Sequence, residues 1–401
     1  MGKMTASVPC RIVSPPGEAV IHRFFDTSPF SPSGRYLGLT RFPTDSRLPR
    51  TGESADILLV DLDSGETREI DQTLAWDTQL GAHVQWGRSD EELVYNLSDP
   101  SGSRIYSRVS NPFTGARRDL DGPVYMLNAT GTHALAPNLF TLNTVQPGYG
   151  VFWAGPQHWV KAPSDDEDGV WVTEIASGRS RLLVSTGAIL DAFPELKAYG
   201  EAHDGRYVCF HVKWNPQSTR IFTVFRFSTP DQSFIRNAIV TADADGSNLQ
   251  LALHPETWSK GGHHPNWTSD GDHILMNLKR DKDRLEFVRF AFDGSGLKAL
   301  SKNCPGSGHP TLHPDGSHIL TDTYLYESEH PDTVPLRWID LNSDSETVLA
   351  HIPANPPFPG PRQELRIDPH PAWDSTFTKI AFNTFHEGAR AVATADLSAI
   401  I

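Results

Sequence analysis

A short polar turn recurs along the chain, and a strand-like apolar segment follows each copy. "SPSG" ends at Gly34, "GRSD" at Asp90, "AHDG" at Gly205, "TSDG" at Gly271 and "HPDG" at Gly316, while "ATGT" surrounds Gly131 and "WDST" surrounds Ser375. The following segments include "RYLGLTRF", "RYVCFHVKW", "HILMNLKR" and "KIAFNTF". They alternate in polarity and are rich in β-branched and aromatic residues, as half-buried strands are. Asp-Gly supplies the positive φ that tight hairpin turns require. Gly271 and Gly316 stand 45 residues apart, which is room for about four strands. Further along, "ADILLVDLDSGETREI" and "RNAIVTADADGSNLQLAL" each read as strand, turn, strand, the outer hairpin of such a unit. Seven turns at this spacing predict an all-β chain, a single seven-bladed β-propeller domain over residues 1–401. Two separate β-sandwiches would explain the regular spacing less well.

The charge balance narrows the function. A formal net charge of -14 argues against a nucleic-acid partner, which needs a basic footprint. It leaves room for a small anionic substrate, because a pocket can be locally positive, above all around a bound metal. No apolar run reaches about 18 residues, so no membrane association is expected. The start, "MGKMTASVPC", lacks the apolar core of a secretion signal. A cytoplasmic location is therefore expected, with a secreted protein that has lost its signal as the alternative. Cys10, Cys209 and Cys304 have neither a disulfide framework nor metal-type spacing. No G-x-S-x-G elbow, P-loop or dinucleotide fingerprint stands out.

Three phrases repeat histidine before proline: "GHHPNWTSDG", "GHPTLHPDG" and "PHPAWD". His264 lies seven residues before Gly271, His309 seven before Gly316, and His83 seven before Asp90. His370 precedes Trp373 by three, as His264 precedes Trp267. Four histidines from four blades thus share one register at the start of the innermost strand, where loops of one propeller face converge. A single such histidine would be read as a packing residue. Four at one register argue for a shared site. His273 and His318, each two residues after a turn glycine, read as structural, and Trp267 and Trp373 are expected to pack between blades. Clustered neutral imidazoles suit a divalent first-row metal. Asp368 lies two residues before His370 and so on the same side of an extended strand. Gln363 and Glu364 offer further oxygens nearby.

From about Ala238 to the end, these residues resemble the oligogalacturonate lyase family. The resemblance is carried by "ADGSNLQL", "GGHHPNWTSDG", "GSGHPTLHPDGS" and "DPHPAWDSTFTKIAFNTFHEGARAVATADLS", with a weaker echo in "VIHRFFDTSPFSPSGRYL". Residues from about 112 to 185 show none. The resemblance implies a seven-bladed propeller that cleaves uronate oligomers by β-elimination, with a manganese site built mainly of histidine. It puts His309 and His370 on metal-ligand positions and His264 on an active-site histidine near the substrate. The family's second ligand histidine is replaced here by Asp368. Its ligand glutamine falls on Leu365, with Gln363 as a candidate replacement. Arg236 is the nearest match to the family's catalytic arginine, and His211 matches another histidine-bearing strand.

Elimination from a uronide needs a neutralised carboxylate, a base for the C5 proton and an acid for the leaving oxygen. Histidine suits either proton-transfer role, and arginine suits carboxylate binding. The expected assignment has a divalent metal, Mn²⁺ foremost, on His309 and His370 with Gln363 or Asp368. His264 and His211 transfer protons, and Arg236 binds the carboxylate. His83 contacts the sugar or serves as the alternative base. Arg41 and Lys213 are candidates for the pocket lining, with a solvated surface role as the competing reading. The expected partner is an anionic oligosaccharide, either oligogalacturonate or another uronide such as a rhamnose-glucuronate unit. The rival reading is a non-catalytic, TolB-like propeller scaffold, which has no need of imidazoles at its axis. A glycoside hydrolase would want paired carboxylates, and no such pair stands out.

Overall fold

A computed structural model describes residues 2–151, 165–281 and 283–401. It contains seven antiparallel sheets, each crossed strand by strand in chain order, and the fold is a seven-bladed β-propeller. The blades are numbered here by residues: blade 1, 20–73; blade 2, 85–119; blade 3, 126–185; blade 4, 206–253; blade 5, 262–299; blade 6, 311–353; blade 7, 372–396. The residues fall into two compact groups, one holding blades 6, 7, 1 and 2, the other blades 3 to 5. No helix among the described residues is long and apolar enough to cross a membrane.

In the first group the N-terminus completes two C-terminal blades. Strand Thr5–Ala6 pairs with Ser345–Pro353 in blade 6. Strand Cys10–Ile12 pairs with Ala389–Asp396 in blade 7, Cys10 opposite Ala395 and Ile12 opposite Ala393. Apolar side chains then fill the space between successive blades. Leu320, Leu336, Phe382 and Trp373 join blades 6 and 7. Leu37, Leu58, Ala381 and Val392 join blades 7 and 1. Ile57, Leu59, Trp86 and Leu93 join blades 1 and 2.

The second group is built the same way. Trp267 of blade 5 packs against Phe222 of blade 4, ring centroids 5.5 Å apart, and its Nε1 donates to Lys213 O at 3.3 Å. The two tryptophans expected between blades lie there: Trp373 packs on Trp338 and His313 of blade 6. His273 and His318 are turn ties, with Nδ1 2.9 Å from Asp270 Oδ2 and 2.7 Å from Asp315 Oδ2.

The polar turn before blade 4 differs from the others. "AHDG", ending at Gly205, precedes the first strand of blade 4, Arg206–Trp214, and joins no two strands of it. The hairpin is Asn215–Arg220, closed by Asn215 N to Arg220 O at 2.9 Å. It has no glycine; Ser218 takes the left-handed position at φ 59. The pattern was hidden because a serine does there what glycine does in blades 5 and 6.

Trp86 is buried between blades 2 and 1, with Nε1 donating to Pro29 O at 2.9 Å. Trp86→Ala should cost about 3–5 kcal/mol through the cavity and the orphaned carbonyl, read as a lowered urea midpoint.

Candidate functional site

The corrected hairpin adds a histidine to the register. Five turns open at Gly87, Asn215, Thr268, His313 and Asp374, whose N–H groups bond across to Glu92, Arg220, His273, His318 and Lys379. The residue four before each is His83, His211, His264, His309 and His370. Four of these have left-handed backbone: φ is 57 at His83, 52 at His211, 57 at His264 and 50 at His370. That conformation is uncommon outside glycine and stores strain. In blades 4 and 5 it coincides with a bulge, where pairing shifts between Phe210 and Lys213 and between His263 and Asn266. A bulge re-aims the side chain it carries. In blade 6 Gly308 takes the left-handed turn at φ 62, and His309 follows it.

In the first group His309, Asp368 and His370 come together. One ligating atom of each lies within 4.8 Å of the others, and all three residues are buried. The two imidazoles meet edge to face, centroids 4.3 Å apart at 88°. Phe24 packs edge-on against both, 4.6 Å from His370 and 5.7 Å from His309. Asp322 fixes the arrangement. Its Oδ1 accepts from His309 N at 2.8 Å, and its two oxygens lie 2.9 and 3.0 Å from His309 Nδ1. Oδ2 also accepts from His370 N at 3.2 Å. Gly308 must stay bare here, since a Cβ would stand 2.1 Å from Asp322 O. Both ring nitrogens of His370 are buried without a hydrogen-bond partner among the described residues.

Two cations and a third imidazole surround this cluster. Arg366 Nε donates to Asp368 Oδ2 at 2.7 Å. Arg390, fully buried, donates from Nη2 to Leu365 O at 2.9 Å and Arg366 O at 3.1 Å, fixing the segment that carries Asp368. Burial holds its guanidinium down to about 10. His22 Nε2 donates to Pro369 O at 3.3 Å. Burial pushes His22 down to about 4, against the opposing pull of that carbonyl. His370 is pushed well below the usual imidazole value, first by burial and then by the His309 imidazole. Both rings are therefore neutral near pH 7, with lone pairs to offer.

The same group holds a second polar constellation. His83 Nε2 lies 3.4 Å from Asp77 Oδ2, both side chains enclosed. Burial lowers the His83 pKa, opposed by the Asp77 hydrogen bond. Asp77 is held by Leu80 N at 2.6 Å and Gly150 N at 3.0 Å. Beside it runs a buried ion pair, Arg23 Nη1 to Asp26 Oδ1 at 2.9 Å. Buried charges are costly to hold.

In the second group His211 Nδ1 lies 2.5 Å from Tyr125 Oη. His264 Nδ1 lies 3.0 Å from His263 Nδ1, which also accepts from Asn277 Nδ2 at 3.1 Å. Lys213 is buried rather than solvated, and Nζ donates to Pro265 O at 2.9 Å, the carbonyl just past His264.

Three expected residues stand elsewhere. Gln363 is exposed, with left-handed backbone at φ 62, whereas His309, Asp368 and His370 are buried. Arg41 is occupied by three carboxylates, Glu18 at 2.9 Å, Asp56 at 2.7 Å and Glu69 at 3.0 Å. Arg236 lies on the third strand of blade 4, its guanidinium 4.0 Å over the Phe234 ring and bonded to Ile235 O at 2.8 Å. Asp322, Arg366 and His22 escaped the sequence reading. The every-second-residue parity that brought in Asp368 extends to Arg366 and could have found it.

No family model matches the chain, and no curated protein matches it. Solved structures do. An oligogalacturonate lyase in complex with manganese aligns at TM-score 0.64 and 14% identity, covering 99% of this chain and 98% of that one. An oligogalacturonate lyase from Vibrio parahaemolyticus aligns at TM-score 0.65 and 14% identity, covering 98% and 96%. TolB from Acinetobacter baumannii aligns at TM-score 0.42 and 12% identity, covering 90% and 80%. At these identities the likeness is one of fold.

The His22 burial has a consequence for stability. Its imidazole titrates at about 4 in the fold and near 6.5 when unfolded. Between those values the unfolded chain binds a proton that the fold refuses. The metal-free protein should therefore lose about 1 kcal/mol per pH unit from this group as pH falls from about 6.5 to about 4. Urea titrations across that range should show the slope reduced in His22→Asn.

Proposed function

We propose that this protein is a lyase that cleaves uronic-acid-containing oligosaccharides by β-elimination. The observation that carries this reading is the convergence of His309, Asp368 and His370, with the Arg366 guanidinium bound to the same carboxylate. The likeness in fold to two oligogalacturonate lyases, one of them in complex with manganese, supports it.

The donor set fits a divalent first-row metal. His370 presents buried ring nitrogens without a partner, and Asp322 on Nδ1 of His309 directs Nε2 of that ring to the ligand position. Two imidazoles and a carboxylate suit Mn²⁺. Bound there, the metal would stabilise negative charge developing on the uronate carboxylate.

The remaining work falls to side chains. Arg366 replaces Arg236 and Arg41 as the carboxylate-binding arginine, since it adjoins the cluster and keeps 22% of its side chain exposed. Neutralising the carboxylate makes the C5 proton acidic. A neutral imidazole takes that proton, and the C5–H electron pair becomes the C4=C5 double bond. The C4–O bond breaks, and the leaving oxygen keeps the bonding pair and gains a proton. His83, oriented by Asp77 and in the same group of blades as the cluster, is assigned the role of base. His264 and His211 are proton-transfer candidates by register and left-handed backbone.

With a panel of uronic oligosaccharides, the lyase should release unsaturated uronide, seen as ultraviolet absorbance of the conjugated carboxylate. Arg366→Ala should lower kcat/KM about 100-fold or more. A panel that yields no unsaturated product, with or without Mn²⁺, leaves a TolB-like binding scaffold as the better reading. Metal binding is a separate test. Asp322→Asn should weaken Mn²⁺ binding about 10- to 100-fold by calorimetric titration, because His309 loses the partner that fixes its tautomer.

A further inference from the structure

Tyr326 is the most exposed large hydrophobic side chain among the described residues, at 79%. It lies in the short 3-10 turn Leu325–Glu327 of blade 6, just beyond strand His318–Thr321 and Asp322. The turn does not need the ring. Glu327 N donates to Tyr324 O at 3.0 Å, Ser328 N to Leu325 O at 3.2 Å, and Ser328 Oγ to Thr333 O at 2.6 Å. A phenol left in water on such a turn forgoes the free energy of burial.

What the ring does touch is informative. It stacks on Tyr324, centroids 5.2 Å apart and 12° from parallel. Tyr324 in turn stands edge-on to His309, 5.8 Å away at 64°. A line of three rings thus runs from the metal-binding candidate His309 out to solvent. Tyr326 also lies within electrostatic reach of Asp368 and Arg366. One face of its ring is covered by Tyr324, and the high exposure leaves the other face open.

We propose that Tyr326, backed by Tyr324, is a stacking subsite for a pyranose ring next to the His309–Asp368–His370 cluster. Its ligand is the sugar unit adjoining the uronate gripped at that cluster, so the inference rests on the lyase reading. The chemistry is complementary. An aromatic face carries partial negative charge. One face of a pyranose presents C–H bonds made partly positive by the ring and hydroxyl oxygens. A stacked tyrosine pair is also already ordered, so little side-chain freedom is lost on binding. The subsite binds the sugar ring and leaves the uronate charge to Arg366.

The test uses calorimetric binding of galacturonate and trigalacturonate, with Mn²⁺ present, to the full chain and to Tyr326→Ala and Tyr326→Phe. The alanine variant should bind trigalacturonate about tenfold more weakly and galacturonate unchanged, while the phenylalanine variant keeps wild-type affinity. Thermal midpoints should match, because the ring is exposed. Equal trigalacturonate affinity in wild type and Tyr326→Ala overturns the subsite. So does an equal loss for both sugars. Product release is read separately in the ultraviolet. Wild-type protein that shows the expected Tyr326 effect but makes no unsaturated product sinks the lyase reading and leaves the subsite standing. Wild-type protein that binds neither sugar overturns both.

Discussion

The carboxylate of Asp322 is the contact on which the candidate site depends. It bonds the backbone N–H and the ring of His309 in its own blade and the backbone N–H of His370 in the next. One group therefore sets the orientation of one imidazole, the position of the other, and the seam between two blades. Close approach is its condition. Gly308 lies against Asp322 so tightly that any side chain would collide with the aspartate backbone, and its φ is left-handed as well. Blade 6 thus separates two tasks that blades 2, 4, 5 and 7 give to one residue: glycine makes the turn, and histidine supplies the ring.

Those four other histidines carry the strain themselves. A non-glycine residue in the left-handed region costs about 1–3 kcal/mol. Packing three residues downstream offsets it. Trp86, Trp214, Trp267 and Trp373 each follow their histidine by three and are buried. The tryptophan anchors the strand, and the distorted turn before it aims the imidazole. Strain repeated at one structural position, each time on histidine, supports the functional role proposed for that register. A packing requirement alone would have been met by glycine, as in blade 6.

The fold was legible because its signals are local. Alternating polarity and Asp-Gly turns need only a few neighbouring residues to act, and they recur. Where the local chemistry changed, the reading slipped: Ser218 replaces the turn glycine in blade 4, so His211 could be matched by resemblance but not by register. The site was legible only in part. His309, His370 and Asp368 could be paired through repeat spacing and strand parity. Asp322 could not, because its role is a contact across the blade seam. Arg41 and Arg236 show the converse difficulty. An arginine on a strand looks available until its neighbours are known, and Arg41 has three carboxylates around it while Arg236 lies over an aromatic ring. Gln363 differs in a simpler way: it is exposed, on a left-handed turn, while the clustered residues are buried.

Asp368 is the point where this chain departs from the histidine expected of the lyases it resembles, and the structure holds the compensation. Replacing a neutral imidazole by a carboxylate adds one negative charge to the site for which an anionic sugar is proposed. Left alone, that charge would repel the substrate carboxylate in a medium of low polarity, where such repulsion is strong. Arg366, two residues earlier in the segment that leads into blade 7, places its Nε 2.7 Å from Asp368 Oδ2. The pair is neutral overall, as the imidazole expected at that position would be. Arg390 makes the pair possible by gripping the Leu365 and Arg366 carbonyls from below, a cation spent on backbone geometry. The substitution at Asp368 is therefore coherent only as one of three. Arg366 pairs the carboxylate and Arg390 fixes the backbone that carries it, so the proposed anionic substrate would not meet an uncompensated charge at Asp368.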